Sequence, residues 1–85
     1  MDFYKNKITL DNLPIGYYGE VLTLNNTGPS RRRLLDLGLT PKTIVKTERI
    51  SPLGDPIAFN IRGAIIALRK EEAKNIIINP LNRGE

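Results

Sequence analysis

The stretch from Pro52 to Arg69, P-L-G-D-P-I-A-F-N-I-R-G-A-I-I-A-L-R, constrains the fold more than any other part of the chain. Ile57, Phe59 and Ile61 alternate with Ala58, Asn60 and Arg62, the period of a strand with one buried face. Ala64, Ile66 and Leu68 then alternate with Ile65, Ala67 and Arg69, so a second strand follows. Gly63 between the halves permits a positive φ or a bulge. In front, Leu53-Gly54-Asp55-Pro56 is dense turn chemistry: the glycine turns freely and the proline fixes φ while withholding a donor. A two-stranded ribbon does not hold together alone in water. The rest of the chain must supply the strands that cover it.

It offers several. Ile8-Thr9-Leu10 reads as a short first strand, stopped by Asp11-Asn12 and Pro14. Gly16 and Gly19 bracket Tyr17-Tyr18, and Glu20-Val21-Leu22-Thr23-Leu24 is a second strand. Asn25-Asn26-Thr27-Gly28 is a turn cluster. A helix of two to three turns follows, with Gly28 or Ser30 as cap, Pro29 at its first position, and Leu34, Leu35 and Leu37 as its apolar face. Gly38 suits the residue after the helix, Leu39 the hydrophobic contact beyond it, and Pro41 blocks continuation. Thr43 to Ile50 is rich in β-branched residues and forms a third major strand. Lys70 to Lys74 suffices for a turn of helix, and Ile76-Ile77-Ile78 favours a closing strand before Asn79-Pro80.

The fold expected is mainly β, a closed or nearly closed small barrel with one short inserted helix and a helical turn before the last strand. An SH3-like barrel fits best and an OB-type barrel second. Residues 1–7 are expected to be loose, 8–79 to form the barrel, and 80–85 to be a polar tail. An edge at Ile8–Leu10 or Ile76–Ile78 could pair with a second copy.

Eighty-five residues make a single domain with a small core. There is no cysteine to staple it, which suits a reducing compartment. The longest apolar run, Ala64 to Leu68, is far short of the roughly 20 residues of a membrane-spanning helix, and the N-terminus shows no signal-peptide core. A soluble, cytoplasmic protein without membrane insertion is expected. Without histidine or cysteine, Ser-His and Cys-His catalysis, zinc sites and the two-histidine iron triad are excluded. Asp11 with Glu20 and Glu71 with Glu72 are the nearest carboxylate pairs, and neither has the spacing of a metal loop. No phosphate-cradling glycine loop is present. The chain reads as a non-enzyme with no cofactor and no metal of its own.

The net charge of +4 is local. Arg31, Arg32, Arg33, Lys42, Lys46 and Arg49 face only Asp36 and Glu48 within residues 31–49, and the remainder balances. An electrostatic partner should meet this segment. The three arginines sit toward the positive end of the helix dipole and Asp36 at its negative end, each costing about 0.3–1 kcal/mol when exposed. An Arg32–Asp36 pair offsets part of this; the rest calls for an external partner or a tertiary acid. Leu53, at a loop tip beside Gly54 and Asp55, could be an exposed apolar anchor. The plainer readings are a solvated helix face and an ordinary turn. A third possibility is a small basic barrel binding nucleic acid through residues 31–49, with Tyr17 or Tyr18 stacking on bases. Beyond the tyrosines, Phe3 and Phe59 are the only rings available, too few for a good platform.

The blocks S-R-R-R-L-L-D-L-G-L-T-P-K-T, S-P-L-G-D-P-I-A-F-N-I-R-G and A-L-R-K-E-E-A closely resemble the FeoA family, small cytoplasmic partners of ferrous-iron transport. The resemblance runs from about Ile8 to Ile78 and is most specific at Arg32–Pro41 and Leu53–Gly63. It implies an SH3-like barrel that associates with the cytoplasmic part of FeoB, the membrane ferrous-iron transporter carrying a GTPase domain. Iron is then the partner's cargo. The same module is similar to the C-terminal domain of diphtheria-toxin-repressor-type regulators, but no DNA-binding or metal-sensing domain accompanies it here, so the stand-alone reading is preferred. The partner surface expected combines Arg31, Arg32, Arg33, Leu39, Leu53, Gly54 and Asp55.

Overall fold

The computed structural model describes residues 6–81. Of the expected loose N-terminus and polar tail, residues 1–5 and 82–85 lie outside the described residues. The elements are β1 (Ile8–Thr9), a 3-10 turn (Leu10–Asn12), β2 (Tyr18–Leu24), α1 (Gly28–Asp36), β3 (Ile44–Ile50), β4 (Ile57–Ile61), β5 (Ala64–Leu68), α2 (Lys70–Ala73) and β6 (Ile76–Pro80).

The strands form one antiparallel sheet in the order β1-β6-β2-β3-β4-β5. Register shifts between Val21 and Thr23, and between Thr47 and Arg49, interrupt the β2–β6 and β3–β4 ladders. Bulges of this kind bend a strand and increase its twist, which curls the sheet over a single core. Gly19 in β2 is buried, and a Cβ there would lie 2.6 Å from the Ile78 δ-methyl of β6. The missing side chain therefore lets that methyl lie directly against β2. The sheet's outer strands, β1 and β5, are not hydrogen-bonded to each other; instead α2 packs against the 3-10 turn after β1. The barrel is thus nearly closed, with helical turns in the gap.

Several boundaries differ from expectation. Leu10 leaves the first strand for the 3-10 turn, where it is fully buried; the Thr9 hydroxyl bonds to Asp11 and receives Asn12 Nδ2, which favours the turn. β2 starts earlier, at Tyr18, and β6 runs on to Pro80 opposite Gly19. β6 is flanked by β1 and β2, so Ile76–Ile78 is an interior strand rather than the free edge expected. The helix begins one residue before the start a Gly28 cap would give and three before that of a Ser30 cap: Thr27 is the cap, Gly28 the first residue and Pro29 the second. Its C-terminus is as the residues suggested. Gly38 has φ +100°, its N–H donates to Leu35 O, and Leu39 N–H donates to Leu34 O. That is a Schellman end, whose hydrophobic contact joins two fully buried leucines, Leu34 and Leu39.

The core gathers Leu10, Leu13, Val21, Leu34, Leu39, Val45, Phe59, Leu68, Ile76 and Ile78 with their neighbours. Thr47 is the polar intruder. It is fully buried, opposite Phe59 in the ladder, and its hydroxyl has no partner among the described residues. Thr47→Val keeps the shape and removes the unpaired group, so it should raise stability by about 1 kcal/mol. Urea denaturation reads this as a higher midpoint; an unchanged midpoint would mean that water already satisfies the hydroxyl.

Candidate partner-binding surface

The first candidate element is α1. Arg31, Arg32 and Arg33 are all exposed, but they are not equivalent. The Arg31 guanidinium donates to Leu24 O at 2.7 Å. Arg33 pairs with Glu72 Oε2 at 2.7 Å, and Ser30 Oγ donates to the same oxygen at 3.3 Å. Because α1 ends at Asp36, Arg33 belongs to its last turn, where a cation is favourable. Arg33 is thereby relieved, while Arg31 and Arg32 near the N-terminus and Asp36 at the C-terminal end still oppose the dipole. α1 has no acid in its own first turn, and Glu72, reaching Ser30 from α2, supplies one. The Arg32–Asp36 pair expected within the helix does not form; both side chains instead line a shallow groove of about 290 Å³ with Gly28, Arg31 and Leu35.

The second element is the loop between β3 and β4. Ser51 Oγ and N–H both donate to Pro56 O, and Gly54 N–H donates to Ser51 O at 2.7 Å. Gly54 has φ +87°, and the Asp55–Pro56 peptide is cis. The closed loop holds out Leu53, whose relative exposure is 95%. Asp55 faces inward along the surface: its Oδ1 accepts the Lys70 N–H at 3.0 Å and its Oδ2 lies 4.0 Å from Arg69 Nη1. It thus caps α2 from outside that helix. Leu39 is not part of any surface. It is fully buried in the core, because the Schellman end that places it after Gly38 turns it inward.

Sequence reasoning treated the arginines and the loop as separate features. Both are tied to α2, one through Glu72 and the other through Asp55. Glu72 also accepts the Arg69 N–H through Oε1 at 3.2 Å, so one carboxylate serves α2, Ser30 and Arg33. The sequence places Arg69 in the β5 alternation and Lys70 to Lys74 in a helical turn, with Glu71 and Glu72 as a carboxylate pair; what Glu72 does depends on what packs beside it. Neither tyrosine offers a bare stacking face. Tyr17 packs on the core, and Lys46 Nζ lies 5.7 Å from the Tyr18 ring centre. Among the described residues no three His, Cys, Asp or Glu side chains converge, and no helix is long and apolar enough to cross a membrane.

Known proteins share this fold. The model of the FeoA domain matches residues 8–80. The FeoA protein of Chlorobium tepidum superposes with a TM-score of 0.83 at 38% identity, over 87% of this chain and 70% of that one. A FeoA-like protein of Clostridium acetobutylicum gives 0.81 at 35% identity, over 88% of this chain and 87% of that one. The zinc-complexed FeoA of Stenotrophomonas maltophilia, described as an SH3-domain protein, gives 0.78 at 25% identity, over 89% and 98%. A manganese-dependent transcriptional repressor shares the fold alone, at 18% identity. With a nearly closed SH3-like barrel, an inserted α1 and a domain match spanning almost every described residue, this chain is a member of the FeoA family.

Proposed function

We propose that the domain is a non-enzymatic interaction module that binds the cytoplasmic face of a FeoB-type transporter and modulates uptake of ferrous iron, which is the transporter's cargo. Family membership supports a role in ferrous-iron transport. The observation that carries the interaction reading is Leu53: a large aliphatic side chain, 95% exposed, on a loop closed by its own hydrogen bonds. Displaying it to water gains the domain nothing, and a preformed loop loses little freedom on binding. Arg31 and Arg32 on α1 supply the electrostatic part of the surface.

The test is capture by the transporter's isolated cytoplasmic domain. Leu53→Ala should weaken binding at least about tenfold, or about 1.4 kcal/mol, and change unfolding stability by less than about 0.5 kcal/mol. Lys7→Ala, exposed and outside the surface, should bind as wild type does. Failure of the wild type to bind overturns the reading.

A further inference from the structure

Two non-glycine residues among those described have a positive φ: Lys42 at +78° and Arg62 at +53°. The left-handed region is costly for residues with a Cβ, and bulky ones found there call for a reason. Both residues are basic, and both line one hollow of about 400 Å³, completed by Pro41, Thr43 and Ile44. Neither forms an ion pair with another of the described residues.

The backbone explains the conformations but not the residue types. Lys42 N–H donates to Val21 O at 2.7 Å, which fixes the turn into β3. Arg62 and Gly63 (φ +87°) form the two-residue turn between β4 and β5, with Asn60 Oδ1 receiving Gly63 N–H. A turn with both φ values positive prefers Asn or Gly at its first place, so arginine is kept there at a cost.

What arginine does is visible in its contacts. Its Nε donates to Gly38 O at 3.3 Å and its Nη2 to Thr43 Oγ1 at 3.3 Å. Thr43 Oγ1 in turn donates to Gly38 O at 2.9 Å. A Cβ on Gly38 would lie 2.8 Å from Arg62 Cδ and Nε, so the glycine that ends α1 also makes room for the arginine stem. These bonds orient the guanidinium through Nε and Nη2 and leave Nη1 outside them. Lys42 lines the same hollow, with a wall of Pro41 and Ile44, the latter 46% exposed.

We propose that this hollow is a carboxylate-binding site that takes an Asp or Glu side chain flanked by an aliphatic residue on a protein partner. Two cations lining one hollow with no acid among its lining residues favour an oxyanion, and an arginine fork oriented by its own hydrogen bonds suits a carboxylate. The exposed Ile44 wall would be wasted on a bare inorganic anion. The inference rests on reading the domain as an interaction module.

The experiment is an amide-shift titration of the whole protein with N-acetyl-Ile-Glu-Leu-amide, with its Gln counterpart, and with inorganic phosphate. The Glu peptide should move the amides of Lys42, Thr43, Ile44 and Gly63, with the Gln peptide at least about tenfold weaker, as loss of a carboxylate paired with two cations would give. Lys42→Asn and Arg62→Asn should each weaken the Glu peptide at least about fivefold. Asn tolerates the left-handed region, and Asn-Gly is the favoured pair for this turn, so neither variant should lower the melting temperature appreciably. Equal response to the Glu and Gln peptides, unchanged affinity in the variants, or phosphate matching the Glu peptide would each overturn the proposal. Capture by the transporter's cytoplasmic domain separates the two readings. If wild type and the double variant bind it equally, the hollow alone is refuted as a partner site. If wild type does not bind, the transporter reading falls and the peptide titration still decides the hollow.

Discussion

Phe59→Ala is expected to cost the domain about 3–5 kcal/mol, the usual range for emptying a buried aromatic site. Phe59 is fully buried at the middle of β4, with Thr47 opposite it on β3 and Ile66 on β5. Three strands therefore meet at one ring, and a rigid ladder leaves little room for the cavity to collapse. An 85-residue domain has on the order of 4–13 kcal/mol in total, so the variant would be close to unfolding. Phe59→Leu should lose only about 1–1.5 kcal/mol, since most of the volume remains. Urea denaturation followed by circular dichroism would check both. An alanine loss below about 2 kcal/mol would mean that the sheet repacks and that the ring is not its organising contact.

The second large effect is expected at Glu72. Its side chain is 16% exposed, and it binds Arg33, Ser30 and the Arg69 N–H. Glu72→Ala removes a cap of α2, worth about 1 kcal/mol. It also removes a favourable acid from the α1 N-terminus, about 0.3–1 kcal/mol. The pair with half-exposed Arg33 adds no more than about 0.5 kcal/mol after screening. The sum is about 2 kcal/mol, read as a lower unfolding midpoint. Glu72→Gln keeps an acceptor for the Arg69 N–H and should lose about half as much. Equal losses in the two variants would show that charge, not the cap, is what α2 relies on.

The local parts of the fold were legible because short-range sterics and periodicity determine them. β4 and β5 fall at the residues that alternation marks, Gly63 takes its positive φ, and Gly38 with Leu39 ends α1. The start of α1 was misread by a residue because Thr27, Gly28 and Ser30 all make acceptable caps, and nothing local ranks them. Leu39 was assigned to the partner surface because an apolar residue after a helix is ambiguous until the direction of the exit is known. The Schellman bonds send it inward. Asp55 is expected on the partner surface beside Leu53, whereas the contacts the structure gives it run to Lys70 and Arg69, fifteen and fourteen residues onward.

From residue order alone came a barrel of short strands, an inserted helix, a locally basic segment and a chain without histidine or cysteine chemistry. Tertiary structure decided which charges are answered and which are left open. Glu72 answers Arg33, whereas Lys42 and Arg62 meet at a hollow with no acid among its lining residues. Side-chain pairing across strands depends on register and on bulges, and these are set by packing of the whole sheet rather than by neighbours in the chain.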